Sequence, residues 1–166
     1  MSVPALHVPS LPLAGGCQCG AVRYTISRAP IVFYLCHCSE CQKQSSSAFG
    51  ESLRVETAGF GIAGETRVFE RPTARGGLMQ CRFCPACGTR LTHERPDRTD
   101  RLNVKAGTLD ATAWLMPAGH IWTASKQALS VIAPDALAYP HQPESDAALE
   151  ARWRAMTPGW GAQRSG

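Results

Sequence analysis

The sequence predicts a mainly β fold closed by one short helix, and three observations carry that expectation. The 15 glycines and 12 prolines are spread along the 166 residues with short runs between them, the texture of many short strands and turns. Several of those runs alternate apolar and polar positions with a period of two, as half-buried strands do. Helical periodicity appears at the end of the chain, in 144–156. With 44% hydrophobic residues in a length that suits one domain, there is material for a real core, which argues against disorder throughout.

Taken in order, residues 1–14 read as a loose leader, 15–140 as the domain proper and 141–166 as a helical extension. "AVRYTI" (21–26) sets Val22, Tyr24 and Ile26 against polar neighbours. "IVFYL" (31–35) is a continuous apolar run, a buried strand that delivers the chain to Cys36. "TRVFER" (66–71), "RLNVKAG" (101–107) and "HIWT" (120–123) are further short strands. In "ESDAALEARWRAM" (144–156), Leu149, Trp153 and Met156 fall on one face, with acids in the first turn, arginines in the last, and Pro158 and Gly159 as the stop. That face is expected to pack back on the domain; the alternative use is a partner contact, as in a homodimer.

Charge and hydropathy exclude some roles. The net charge of +4 comes from 17 basic and 13 acidic side chains without a Lys/Arg block, so nucleic acid is not the expected partner. No run of about 18 apolar residues exists, so no membrane span is expected. The start lacks a positive n-region and is interrupted by Pro4, Pro9 and Pro12, unlike a secretory signal. The expected compartment is the cytoplasm, where clustered cysteines are more often metal ligands or catalysts than cystines.

Seven of the eight cysteines form three clusters: Cys17-x-Cys19, Cys36-x-Cys38-x2-Cys41 and Cys84-x2-Cys87; Cys81 stands apart. In "CPACGTRL" two intervening residues let both sulfurs converge on one ion, with Pro85 stiffening the turn and Gly88 allowing a positive-φ return. This is half of a zinc site, and "GGCQCGAV" offers the other half. Cys17, Cys19, Cys84 and Cys87 then make a closed structural zinc site that contributes to folding free energy. Cys36, Cys38 and Cys41 remain. Three thiolates with one open position is the arrangement of a reactive zinc, where water or a substrate thiol completes the shell. Closure by Cys81, or by His37, is the competing arrangement and would leave no chemistry. Spacing alone does not choose among the three.

The clusters in this order, "GGCQCGAVRY", "CHCSECQK" with the following "SSSAF", "FCPACGTRL", and then "GTLD" and "HIW", resemble the glutathione-dependent formaldehyde-activating enzyme family, a domain also found in centromere protein V. The match runs from about Gly15 to Ile132 and leaves the helical tail outside it. The resemblance implies an all-β fold of several coiled antiparallel sheets, a β-tent, with two zinc ions per chain. It assigns the structural zinc to Cys17, Cys19, Cys84 and Cys87 and the catalytic zinc to Cys36, Cys38 and Cys41; Cys81 matches no family ligand. The implied activity is that of a carbon–sulfur lyase, in which a small thiol such as glutathione adds to an aldehyde such as formaldehyde, or the adduct is split. Two positions depart from the family pattern: Gln42 stands where Arg is common, and Ser46 where Gly is common.

Other polar residues have plainer expectations. Ser45, Ser46 and Ser47 read as a polar turn after the zinc loop. His120 and Trp122 would share a strand face, and His93 would lie at the surface or behind the ligands. Arg82 and Arg90 flank the knuckle and would offset thiolate charge or grip a glutathione carboxylate. The functional reading from another class is a zinc-stabilised binding module without catalysis; a weaker third is a metal or redox sensor.

Overall fold

The computed structural model describes residues 3–73 and 76–164; positions 1–2 of the leader and 165–166 of the extension lie outside the described residues. In chain order the strands are β1 (Leu13–Gly16), β2 (Arg23–Ile26), β3 (Val32–Cys36), β4 (Gly50–Glu56), β5 (Phe60–Ala63) and β6 (Arg67–Pro72). They continue with β7 (Leu78–Phe83), β8 (Arg90–Glu94), β9 (Arg101–Val104), β10 (Gly119–Ile121) and β11 (Leu137–Tyr139). Two α-helices join them, α1 (Ser39–Ser45) and α2 (Ala147–Met156). The fold is mostly β, as expected.

A three-stranded sheet has the order β1-β2-β5, and an eight-stranded sheet the order β11-β10-β3-β4-β9-β8-β7-β6. Pairing is antiparallel except at one end of the large sheet, where β10 runs parallel to both β3 and β11. The small sheet shows the alternation read from the sequence: along β2, Arg23 and Thr25 are exposed while Tyr24 and Ile26 are buried. Every residue of β3 is buried, because both faces of this central strand are covered.

Directly opposed residues share a face of a sheet, and faces alternate along a strand. Cys36 is opposite Gly50, Arg54 opposite Asn103, Asn103 opposite His93, His93 opposite Cys81, and Cys81 opposite Phe69. One face of the large sheet therefore carries Cys36, Gly50, His93, Cys81 and Arg71. Helix α1 is drawn over this face: its Glu40 meets Arg71 of β6 at 2.6 Å. Phe33 points the other way, and there α2 packs, with the Phe33 and Trp153 rings edge to face at 6.2 Å.

Helix α2 buries the stripe expected of it, Leu149, Trp153 and Met156. The Trp153 indole N–H donates to the Pro30 carbonyl at 3.0 Å, so its polar edge is satisfied inside the core. The leader is tied to this corner as well: the Leu6 N–H donates to the Met156 carbonyl at 2.7 Å, and Trp160 Nε1 donates to the Pro9 carbonyl at 2.9 Å. Trp114, Trp153 and Trp160 cluster beside them, with their rings tilted or edge to face.

Local details depart from the expectations. Residues 39–45, for which no element was expected, form helix α1, and of the three serines Ser46 and Ser47 remain in the polar turn. The helix lacks an apolar stripe, and its first turn is organised by the Cys38 sulfur, which accepts from the Cys41 N–H at 3.4 Å. His120 and Trp122 do not share a strand, because β10 ends at Ile121 and Trp122 turns left-handed at φ 61. Of the two places expected for His93, the surface is excluded: it is buried, at 8% exposure, in β8.

Candidate metal centres

Cys17 follows β1, Cys84 follows β7, and the two flanking loops bring four sulfurs together. The sulfurs of Cys17, Cys19, Cys84 and Cys87 all lie within 4.8 Å of one another. The knuckle turn closes with the Gly88 N–H donating to the Cys84 carbonyl at 2.9 Å, and Gly88 has φ +74, a value that favours glycine. Backbone donors already face the sulfurs: the Val22 N–H donates to Cys17 at 3.2 Å. The Thr89 hydroxyl and N–H, acting first among several contacts, hold the Cys87 thiol down to about 5. Four converging thiols with donors aimed at them suit a closed, tetrahedral, sulfur-ligated ion such as zinc.

Residues 36–41 build the second group. Cys36 ends β3, Cys38 caps α1 and Cys41 sits in its first turn, so a strand end and a helix start meet at one point. Their sulfurs also lie within 4.8 Å of one another; Cys36 and Cys41 are buried and Cys38 is half-buried. Crowding splits their acidity. Cys36 and Cys41, as hydrogen-bonding neighbours, pull Cys38 down to about 2, while Cys38 and Cys41 together push Cys36 far up. Three thiols forced this close, two of them buried, fit a cation that would let all of them ionise. Among the described residues, no further His, Cys, Asp or Glu ligand atom lies within that distance of all three.

The two residues weighed as a fourth ligand are engaged elsewhere. His37 Nε2 is 3.0 Å from His120 Nδ1, with the rings stacked at 5.3 Å. Burial lowers the pKa of both imidazoles, so neither adds a cation near neutral pH. Cys81, fully buried on β7, points its thiol at the Met79 carbonyl 3.6 Å away. The remaining sequence candidates have structural partners. Ser45 donates back to the Cys41 carbonyl at 2.7 Å, and Ser46 caps α1 with φ 51, a left-handed position at which glycine is the least strained residue. Gln42 donates to the His37 and Ser125 carbonyls at 2.7 and 2.9 Å, tying the cysteine loop to the segment after β10.

Of the flanking arginines, Arg82 hydrogen-bonds Thr66 and faces Glu94 at 3.7 Å. Arg90 turns the other way, toward Cys81 and Cys41 rather than toward the knuckle it flanks in sequence. Lys105 also faces Cys41, and sequence reasoning passed over it. The signal available was small: a lysine directly after the alternating Leu102 and Val104, at a register that continues the face of Asn103.

Comparison with known proteins bears on these centres. A family model described as glutathione-dependent formaldehyde-activating enzyme matches residues 12–125, which hold all eight cysteines. No curated protein sequence matches. Among solved structures, the chain is similar to a Rhodobacter sphaeroides protein at 18% identity and a TM-score of 0.48, over 60% of this chain and 89% of that one. With more than half its length under the family model and the cysteine clusters in place, the chain belongs to the glutathione-dependent formaldehyde-activating enzyme family.

Proposed function

We propose that Cys36, Cys38 and Cys41 hold a reactive zinc ion, and that the protein is a carbon–sulfur lyase joining a small thiol to an aldehyde or splitting the adduct. The observation that supports this reading most is the three-sulfur set itself. The chain gives this group one ligand fewer than it gives Cys17, Cys19, Cys84 and Cys87. A zinc ion held by these three sulfurs would supply Lewis acidity and lower the pKa of a thiol in its open position. Glutathione is the thiol that the family's name suggests, and a reducing cytoplasm suits a protein whose eight cysteines are all free.

The reaction is simple in its balance. A sulfur–carbon bond forms, the carbonyl π pair moves to oxygen, and the proton leaving the thiol ends on that oxygen; the reverse splits the adduct. The residues around the sulfurs position and shelter. Cys38 fixes the start of α1, Gln42 anchors the loop at two carbonyls, and the His37–His120 pair with Phe49 fills the space behind it. The four-sulfur group joins the small sheet to the β7–β8 turn and stabilises the fold that holds the reactive one.

The test compares Cys38→Ser with Cys84→Ser. Expected is one zinc ion per chain, a retained fold and no lyase activity for Cys38→Ser, against an unfolded domain for Cys84→Ser. Equal loss of fold in both would contradict separate reactive and structural centres. Full activity in Cys38→Ser, or a zinc-loaded wild type that binds no thiol, would favour a binding module.

A further inference from the structure

Lys105 is 8% exposed, yet its Nζ makes no hydrogen bond among the described residues. Two neighbours share that condition: Arg90 Nη2 and His93 Nδ1 are buried and unpartnered as well. All three belong to the strip of sheet beneath α1, where Lys105, Arg90, His93 and Arg71 lie close enough to oppose one another's charge. A buried polar atom without a partner costs about 1–3 kcal/mol. Three in one strip mark a place built for something to be received.

Gly50 shows where. A Cβ there would lie 3.2 Å from Cys41 Sγ and 3.5 Å from Lys105 Nζ, so the glycine keeps open a space bounded by the cluster on one side and the amine on the other. The acids nearby are already engaged. Glu40 is paired with Arg71, and Glu51, whose pKa is raised by burial, accepts from the Gly107 N–H and feels the Lys105 charge through space without a hydrogen bond to its Nζ. Balancing the single net negative charge of a three-thiolate zinc would call for one cation, not for an ammonium and a guanidinium edge together with an imidazole nitrogen. Arg90 Nε is spent on the Thr92 carbonyl at 3.2 Å, which fixes the guanidinium and leaves its Nη end beside the Lys105 ammonium, a donor set that matches a carboxylate.

We propose that Lys105 and Arg90 form a carboxylate subsite beside Cys36, Cys38 and Cys41, so that the substrate carries its carboxylate within one or two carbons of the reacting sulfur or carbonyl. This rests on the thiol–aldehyde reading above and narrows it to anionic adducts, such as those of a 2-oxo acid aldehyde. Lys105 and Arg90 bind and orient the acid; His93 backs the strip and Gly50 keeps it open.

The test is calorimetric binding of mercaptoacetate and of its neutral isostere 2-mercaptoacetamide to the zinc-loaded protein, with metal content measured in parallel. A carboxylate raises the pKa of its neighbouring thiol, so thiol acidity alone would favour the amide. Expected is the opposite order in the wild type, mercaptoacetate tighter by about tenfold or more, the scale of a charge-assisted hydrogen bond. In Lys105→Met and in Arg90→Met, tested separately so that one misfolded variant is not decisive, the ratio should fall to within about twofold with two zinc ions retained. Equal binding of both thiols by the wild type, or a ratio that both variants preserve, overturns the subsite alone. Loss of the second zinc ion in the variants also overturns it, by making the cations counter-charges for the metal. If neither thiol binds the wild type, the thiol–aldehyde reading falls and takes the subsite with it.

Discussion

Gly50→Ala isolates the three-sulfur centre by adding one methyl group to it. The new Cβ would lie 3.0 Å from Cys41 Cβ and 3.2 Å from its Sγ, a few tenths of an ångström inside ordinary contact. Gly50 is held by its pairing with Cys36, and Cys41 by the first turn of α1, so neither neighbour is a flexible chain end. Overpacking of this kind costs about 1–3 kcal/mol. Zinc–sulfur distances tolerate a deviation of about 0.2 Å, so strain relieved by moving Cys41 is transferred to the metal. Zinc affinity at this centre should then fall roughly 5- to 150-fold, the equivalent of that strain. The other four sulfurs lie on different loops and should be untouched. The assay is competition for zinc with a chromophoric chelator, resolving two affinity classes per chain. One class weakened and the other unchanged supports the geometry. Two unchanged classes, or two weakened alike, would refute it.

Further outcomes follow from the packing and the charges. Trp153→Ala removes a fully buried indole and leaves the Pro30 carbonyl without its donor, and should destabilise by about 3–5 kcal/mol in chemical denaturation. Asp146→Ala takes the carboxylate partner, 2.6 Å away, from Arg54, which is 9% exposed, and leaves it the hydroxyl and ring face of Tyr34; the loss should exceed the about 0–1 kcal/mol of a surface pair. His93 is held neutral by burial, well below 6.5. The unfolded chain therefore binds the extra proton first, and stability should drop as pH falls below about 6.5, His93 contributing up to about 1.4 kcal/mol per pH unit beside the likewise lowered His37 and His120. His93→Gln at saturating zinc should flatten that slope between pH 6.5 and 5; an unchanged slope would show that His93 does not carry it.

Legibility in the sequence followed the kind of signal each feature leaves. Strands such as β2 and β3 were visible because burial on one face or on both writes directly into alternation or a continuous apolar run. Helix α2 was visible for the same reason, through Leu149, Trp153 and Met156. Helix α1 was not, because capping by the Cys38 sulfur and an ion pair to β6 organise it, and neither leaves a periodic pattern. The cysteine groupings were readable from spacing, since two-residue gaps constrain where sulfurs can point. Lys105, Arg90 and His93 come together through cross-strand register across β7, β8 and β9, information that no local stretch contains.

The clustered indoles of Trp114, Trp153 and Trp160 also decide what an experimenter will see. Three of the four fluorophores that dominate intrinsic emission report the seating of α2 against its sheet and the leader, not the state of any thiol. A chelator could strip the three-cysteine corner while the emission spectrum stays still. Monitoring that corner calls for a probe seated in it, such as cobalt in place of zinc, whose colour comes from the sulfurs themselves.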